Sequence, residues 1–284
     1  MYNFPIGAML DSFRLPAKEA IETAAKIGAK GIQMYSTYGE FAPENMTSQK
    51  KKELLDMMSS NGLVFSALCG DLGRGFGNKD INPGLIEKSK KILDLAKELG
   101  TDVVTTHIGV VPSDPSTDRY KIMQEACSEL AAYADSIGSH FAIETGPEKS
   151  ETLAAFLDTL NSTGVAVNLD PANLVMVTGD DPVHAVYNLR KYIVHTHAKD
   201  GRMLRISNPE EVYSVVPQPE DFKENDYMTE VPLGRGMVNF PVYLKALEDI
   251  GYRGFLTIER EVGADPAADI KLAADFLRQT ISEN

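Results

Sequence analysis

The sequence lacks several features that define whole classes of protein. Its 284 residues include only two cysteines, Cys69 and Cys127, which fit neither a metal-ligand pair nor a disulfide framework and favour a reducing compartment. No apolar run approaches the roughly 18 residues of a membrane span, and the N-terminus lacks the basic and apolar regions of a signal peptide. Basic residues are also few: 28 Lys and Arg against 41 Asp and Glu give a net charge of −13. This balance argues against a nucleic-acid partner, so we expect a cytoplasmic protein that acts on a small molecule, with no membrane partner.

Short apolar segments alternate with longer amphipathic ones along the whole chain. Helical patterns between the apolar segments end on glycine, as at Gly28, Gly100 and Gly138, where a positive φ costs little. Eight strands, each followed by a helix, predict a single-domain (β/α)8 TIM barrel over residues 1–284. The predicted strands are 4–10, 31–36, 64–71, 102–109, 140–146, 165–170, 193–200 and 254–261.

One connection, residues 201–237 after the seventh strand, is much longer than the others. It is rich in Pro, Glu and Asp and has little periodicity. Loops of this length in compact domains are usually functional or disordered. Because it leaves the carboxyl end of a barrel strand, where barrel active sites lie, we expect it to shape a substrate pocket.

Side chains that can bind metals stand at the ends of the last four predicted strands. Side chains alternate along a strand, so one choice of phase directs four of them to the barrel axis. These four are Glu144, Asp170, His197 and Glu259. Three converging carboxylates would repel one another, and a divalent cation would remove that repulsion. Oxygen-rich ligands favour Mn²⁺ or Mg²⁺, with Co²⁺ and Zn²⁺ also candidates. In the alternative interpretation each acid pairs with a strand-end cation such as Lys199 or Arg260.

The segments "AIETG", "VNLDPANL", "HTHAKDGR" and "LGRGMVNFPVYLKALEDIGYRGFLTIERE" resemble the xylose-isomerase-like TIM-barrel superfamily. This group contains sugar and sugar-phosphate isomerases and epimerases, inosose dehydratases and the barrel of endonuclease IV. The resemblance covers essentially the whole chain and is strongest from residue 140 onward. It implies a metal ion held by the same four residues, and the oxygen-rich ligand set makes Mn²⁺ the first candidate. In the ketose 3-epimerases of this group the two glutamates also exchange protons with the substrate, which makes Glu144 and Glu259 the candidate catalytic residues.

The sequence departs from the family pattern at Asn173. Many relatives have a histidine three residues after the acid of strand six, which helps to hold substrate or, in the endonuclease, a further zinc. Asn173 can hydrogen-bond a sugar hydroxyl but cannot act as a base. With five histidines in the chain, the three-zinc cluster of the endonuclease cannot be assembled convincingly. A role in DNA repair is therefore disfavoured.

Other polar residues near strand ends are candidate substrate contacts. His107 ends strand four and would orient substrate, or would be a strand-end histidine with satisfied hydrogen bonds. Lys199 would neutralise an enolate or phosphate oxygen, or would form a salt bridge with a ligand carboxylate. Arg202 is a candidate anion contact. The glycine-rich segment 70–80 would form a mobile lid or cradle an anion, and Cys69 is interpreted as a small core residue.

The leading hypothesis is a metal-dependent isomerase or epimerase of a ketose or keto-sugar, phosphorylated or not, acting through a cis-enediolate. A lyase or dehydratase acting on a keto-inositol or a 3-keto-glycoside would use the same enolate and then expel a leaving group. A third hypothesis, a sugar-binding protein without turnover, is weaker because all four ligand residues are present. The sequence is compatible with a homo-oligomer and does not identify the sugar.

Overall fold

Eight parallel strands close into a barrel in the computed structural model, which describes residues 2–283. They are β1 (Ile6–Met9), β2 (Gly31–Tyr35), β3 (Val64–Cys69), β4 (Val103–Thr106), β5 (His140–Glu144), β6 (Val165–Leu169), β7 (Ile193–Ala198) and β10 (Leu256–Ile258). Each lies within a segment predicted from the sequence. Around the ring the order is β1-β10-β7-β6-β5-β4-β3-β2, so the fold is the predicted (β/α)8 TIM barrel.

Helices connect the strands and cover the outside of the barrel. They are α1 (Ala17–Lys26), α2 (Ser48–Ser60), α3 (Asn82–Glu98), α4 (Asp118–Ser136), α5 (Ser150–Asp158), α6 (Pro171–Asn173), α7 (Pro182–Asn188), α8 (Pro209–Val212), α9 (Phe240–Asp249) and α10 (Pro266–Glu283). Short 3₁₀ turns span Asp11–Phe13, Gly39–Phe41, Pro43–Asn45 and Glu224–Asp226, and a π-helical turn spans Leu174–Thr178. No helix within residues 2–283 is long and apolar enough to cross a membrane.

The core lies between the strands and the surrounding helices, and the strands are short and mostly buried. Every residue of β6 is buried, which explains its continuous apolar character. Close packing also accounts for Gly31 at the start of β2. A Cβ at this position would lie 2.4 to 2.9 Å from ring atoms of Phe255, so only glycine fits beside that ring.

The long connection after β7 is partly ordered, contrary to its weak periodicity. Strands β8 (Asp200–Met203) and β9 (Met228–Val231) form an antiparallel pair. The carboxylate of Asp200 accepts four backbone N–H groups at 2.8 to 3.1 Å, from Gly201, Gly234, Gly236 and Val238. This single side chain therefore fastens both ends of the connection above the barrel.

Candidate metal centre and pocket

Four adjacent strands bring the predicted ligands together at the carboxyl end of the barrel. Glu144 is the last residue of β5, Asp170 directly follows β6, and His197 lies in β7. Glu259 directly follows β10, and its N–H donates to the carbonyl of Ala198 at 3.3 Å. One ligand atom from each of the four lies within 4.8 Å of the others, and all four residues are buried. This buried cluster could hold a metal ion.

The imidazole of His197 lies at the centre of the three carboxylates. Its Nδ1 is 3.3 Å from Asp170 Oδ2, 3.3 Å from Glu259 Oε2 and 3.5 Å from Glu144 Oε1. Burial alone would lower the pKa of His197, but the negative charges of Glu259 and Glu144 outweigh burial and raise it well above its usual value. The site therefore attracts positive charge strongly.

Gln33 on β2 determines which nitrogen of His197 faces the carboxylates. The Gln33 amide donates from Nε2 to Thr105 Oγ1 at 2.8 Å, so its Oε1 accepts from His197 Nε2 at 2.9 Å. In the neutral imidazole, which is the form that binds a metal, a proton on Nε2 leaves the lone pair on Nδ1, which points into the cluster. An orienting hydrogen bond of this kind is typical of histidines that bind metals.

Two asparagines orient Glu144. Asn168 Nδ2 donates to Glu144 Oε2, and Asn173 Nδ2 donates to Glu144 Oε1, both at 3.1 Å. His195 supports this arrangement, because its Nδ1 lies 2.9 Å from Asn168 Oδ1 and its Nε2 lies 2.8 Å from Thr257 Oγ1. His195 thus packs behind the cluster and is not one of its four members.

Glu259 forms an ion pair with Lys199, whereas Glu144 accepts hydrogen bonds from the two asparagines. Lys199 Nζ lies 3.1 Å from Glu259 Oε2 and also pairs with Glu261. Burial alone would raise the pKa of Glu259, but the positive charges of His197 and Lys199 outweigh burial and hold it well below its usual range. The structure thus contains the salt bridge to a predicted ligand carboxylate that one interpretation of Lys199 expects, and a contact with substrate stays a prediction.

A pocket of about 240 Å³ opens above the cluster. Its lining includes His107, Asn173 and Lys199, three of the four predicted substrate contacts. His107 Nδ1 lies 3.0 Å from Asp71 Oδ2, whereas its buried Nε2 lacks a hydrogen-bond partner within residues 2–283. Burial alone would lower the pKa of His107, but the charges of Glu144 and Asp71 outweigh burial and raise it to about 9.

The fourth predicted contact, Arg202, does not line this pocket. It lies in β8 with an exposed side chain, and its guanidinium donates to the carbonyl of Arg235, at 3.0 Å from Nε. The sequence indicated Arg202 only as a candidate anion contact, without a local feature that distinguishes it from a solvated arginine. The chain turns into the hairpin at Asp200, so Arg202 faces the loop that follows β9.

Several residues of the site were missed by the sequence analysis. Gln33 and Asn168 are polar residues within otherwise apolar strands, and that contrast was the available signal. Asp71, at the end of the third predicted strand, could have been paired with His107 on the next strand. Tyr213 lies in the long connection and lines the pocket, and no local pattern distinguishes it from the other tyrosines.

The fold and the cluster together define a class of protein: a (β/α)8 barrel with a buried three-carboxylate, one-histidine centre at the carboxyl ends of its strands. A family model described as a xylose isomerase-like TIM barrel matches residues 21–280. The chain belongs to this family, as its motifs predict. A relative from Bacillus subtilis, the uncharacterized protein YfiH, is 23% identical over 95% of this chain and 96% of its own length.

Solved structures share the fold over nearly the whole chain. A xylose isomerase domain protein from Planctomyces limnophilus has a TM-score of 0.78 at 22% identity, covering 99% of this chain and 97% of the other. The 3-keto-D-glucoside 4-epimerase YcjR from E. coli, in its apo form, has a TM-score of 0.72 at 15% identity, with coverages of 97% and 99%. The probable 3-DHS dehydratase AsbF from Bacillus anthracis has a TM-score of 0.72 at 19% identity, also with coverages of 97% and 99%. At these identities the likeness concerns the fold.

Proposed function

We propose that this protein is a metal-dependent isomerase or epimerase that acts on a ketose or related keto-sugar through a cis-enediolate. The observation that carries the proposal is the cluster itself. Glu144 and Glu259 come from β5 and β10, at the two ends of the four-strand arc, and both contact His197. Two carboxylates that line one small pocket are suited to removing a proton from a substrate carbon and returning one.

The donor set fits a divalent cation. The three buried carboxylates outnumber the two positively charged groups beside them, Lys199 and His197. Oxygen-rich sites with one imidazole suit Mn²⁺, Mg²⁺, Co²⁺ or Zn²⁺. We favour Mn²⁺, held by Glu144, Asp170, His197 and Glu259. When bound, the ion would acidify the C–H next to the substrate carbonyl and stabilise the negative charge of the enediolate.

The chain's own residues would then move the proton and orient the sugar. One of Glu144 and Glu259 removes the proton, and the other, or a water that it holds, returns it. Asn173 already donates to Glu144 and lines the pocket, so it is placed to meet a substrate hydroxyl as well. His107 offers its Nε2, which makes no hydrogen bond within residues 2–283, and Lys199 offers an ammonium next to Glu259. Both isomerisation and epimerisation would use a small sugar as the substrate.

Glutamine variants in heavy water test the proposal. Glutamine keeps one oxygen and nearly the same volume but cannot accept the proton, so Glu144→Gln and Glu259→Gln should each lose about 10²–10⁴-fold in turnover while keeping some metal. Product formed by the wild type in D₂O from a panel of ketoses and keto-sugars should carry deuterium at the reacting carbon. Near-normal turnover by both variants would contradict the assignment of the glutamates, and product without deuterium would favour a shared-proton or hydride-shift route.

A lyase or dehydratase is the second candidate, and His107 is the observation that favours it. Expulsion of a hydroxyl from the enolate needs a group that faces the leaving oxygen. His107 Nε2 makes no hydrogen bond within residues 2–283 and lies 3.7 Å from Glu144 Oε1 in the same pocket. The mass of the product separates the two reactions. Isomerisation and epimerisation conserve mass, whereas elimination from a keto-inositol or a 3-keto-glycoside does not.

A further inference from the structure

A second cavity adjoins the pocket above the cluster. This groove of about 630 Å³ runs along the glycine-rich segment after β3 and is lined by Gly73, Arg74 and Gly75, among others. Three side chains line both the groove and the pocket: Asp71, His107 and Tyr213. They form the wall between the two cavities.

Two of the three wall residues are fixed by the barrel. Asp71 and His107 follow β3 and β4, and they are joined by the 3.0 Å contact between Asp71 Oδ2 and His107 Nδ1. The other carboxylate oxygen of Asp71 accepts from Gly73 N at 2.8 Å. Tyr213 differs because it comes from the long connection, directly after α8. Of the three wall residues, Tyr213 is therefore the one that can be substituted without a change at the end of a barrel strand.

The tyrosine ring is seated in a defined position. Its centroid lies 5.6 Å from that of His107. Gly146 leaves the space that the phenol occupies, because a Cβ there would lie 3.0 Å from the Tyr213 hydroxyl and 2.4 Å from Asn173 Cβ. Gly146 also has φ +135, a conformation that other residues rarely adopt.

The segment that carries Tyr213 is anchored on both sides. Glu210 in α8 forms an ion pair with Arg119 in α4, with Arg119 Nη1 at 2.7 Å from Glu210 Oε1. After the tyrosine, Ser214 takes a left-handed conformation with φ +53, and Val215 N donates to the carbonyl of Glu210 at 2.7 Å. These contacts turn the chain back at Tyr213, so the ring points down into the wall.

We propose that Tyr213 is a specificity-determining residue that closes the pocket toward the groove and restricts the substrate to a single, unsubstituted sugar ring. This inference rests on the proposed function. The pocket of about 240 Å³ is smaller than the roughly 300–1,000 Å³ typical of sites for drug-sized ligands. A second sugar ring or a phosphate that extended from the pocket past His107 would enter the groove, and the phenol ring of Tyr213 stands in that path. Removal of the ring would join the two cavities.

The test compares Tyr213→Ala with the wild type, both as full-length metal-loaded protein. For each, kcat/KM is measured on a free keto-sugar, on its glycoside with a second ring and on its phosphate ester. Direct binding of the same three compounds is measured by calorimetry. We expect the wild type to prefer the free sugar. In Tyr213→Ala the ratio of two-ring to free sugar, in kcat/KM and in binding, should rise at least tenfold.

Control variants distinguish the effect of removing the Tyr213 ring from other effects of the substitution. Tyr213→Phe keeps the ring and should leave the ratio unchanged. Tyr227→Ala removes another tyrosine of the same connection, one that stacks on Phe222 with centroids 5.2 Å apart, and should also leave the ratio unchanged. If Tyr213→Ala does not fold, Tyr213→Leu shortens the side chain and keeps an apolar contact, and the same rise is expected.

The outcomes distinguish this inference from the proposed function. A wild type that prefers the glycoside or the phosphate ester, or a ratio unchanged in Tyr213→Ala and Tyr213→Leu, would overturn the role of Tyr213 and leave the reaction intact. A selective gain in binding of the two-ring sugar without turnover of any compound would support Tyr213 and contradict the reaction. Neither binding nor turnover of any of the three would overturn both.

Discussion

The ammonium of Lys199 lies 3.1 Å from Glu259 Oε2, and both side chains are buried. Burial alone would lower the pKa of Lys199, but the charges of Glu259 and Glu261 outweigh burial and raise it well above its usual value. Lys199 is thus a permanent positive charge beside three carboxylates. Its charge offsets part of the repulsion among these carboxylates, so a bound cation has less repulsion to offset.

Loss of this charge should make the fold more dependent on metal. In Lys199→Met the buried Glu259 carboxylate keeps His197 but loses its ammonium partner, and loss of one member of a buried ion pair typically costs about 3–5 kcal/mol. A bound cation would recover part of that loss, because a ligand that binds only the folded state stabilises it. The difference in Tm between metal-loaded and EDTA-treated protein should therefore widen. Lys271→Met, which removes an exposed lysine paired with Asp275, is the control. An unchanged difference in Lys199→Met would contradict the role of Lys199 as a counter-charge.

One carboxylate oxygen of Asp170 caps helix α6, and the other faces the cluster. Its Oδ1 accepts from the backbone N–H of Ala172 at 2.7 Å and of Asn173 at 2.9 Å, whereas Oδ2 faces His197 Nδ1 at 3.3 Å. Asp170→Asn can keep the capping oxygen and replace only the oxygen that faces the cluster. We expect metal affinity, measured by calorimetry and by metal analysis after dialysis, to fall at least tenfold.

The metal-free stability of Asp170→Asn should change by no more than about 1 kcal/mol, since a cap residue remains. Asp181→Asn is the matched control, because Asp181 caps α7 by accepting from Val183 N at 2.9 Å and lies outside the cluster. It should bind metal as the wild type does. Undiminished metal content in Asp170→Asn would count against the site.

The parts of the site predicted from the sequence are those that depend on strand periodicity. Alternation along β5 and β6 predicts that Glu144 and Asp170 share one phase, and the ring order places them next to His197 and Glu259. This reasoning needs no information on loops. The eight strands were likewise predictable, because each is a short apolar segment between helical patterns.

The other parts of the site depend on contacts between segments far apart in the chain, and no local sequence pattern predicts these contacts. Gln33 meets His197 across 164 residues of sequence, and the contact follows only from closure of the barrel. Arg202 faces away from the pocket because the backbone turns into β8. The segment that carries Tyr213 is joined to α4 by the ion pair between Glu210 and Arg119, two residues far apart in the chain.

Asp200 joins the two ends of the long connection through hydrogen bonds to its carboxylate. Its carboxylate accepts from four backbone N–H groups, including Gly236 N at 2.8 Å, and a Cβ at Gly236 would lie only 2.0 Å from Asp200 Oδ1. An asparagine at position 200 has one oxygen and cannot accept from all four donors. We expect Asp200→Asn to lower the free energy of unfolding by on the order of 2 kcal/mol. The KM for substrate should also rise, because the connection that carries Tyr213 is loosened.

Asp221→Asn, an exposed position in the same connection, should change neither quantity. Urea unfolding monitored by circular dichroism gives the stability, and steady-state kinetics gives KM. If Asp200→Asn unfolds at the urea concentration of the wild type, the four hydrogen bonds do not hold the connection in place.

Shortening the connection between Pro209 and Pro219 should affect substrate affinity more than stability. This stretch contains α8 and Tyr213, and none of the residues between the two prolines is fully buried. Its removal costs the barrel little apolar contact but takes away one wall of the pocket. Tm and KM are measured on the same deletion variant. A large drop in Tm with unaltered KM would indicate that the stretch supports the barrel.

Glu148 gives the protein a pH-dependent stability. Burial raises the pKa of this carboxyl to about 8, from an ordinary value of 4.5, although its Oε2 accepts a hydrogen bond from Val111 N at 2.9 Å. Below pH 4.5 the carboxyl is protonated in both the folded and the unfolded chain. As the pH rises toward 8, the unfolded chain releases the proton and the folded chain retains it, so folding is progressively disfavoured.

Glu148→Gln removes this dependence, because the amide never ionises and its oxygen can still accept from Val111. We expect the variant to gain on the order of 2 kcal/mol over the wild type between about pH 4.5 and pH 8, and to differ little from it at the acidic end. Denaturant unfolding across this range measures the gain. Glu125→Gln, an exposed glutamate on α4, should show no such trend. A gain that is constant with pH would mean that Glu148 ionises equally in both states and that its burial does not govern its charge.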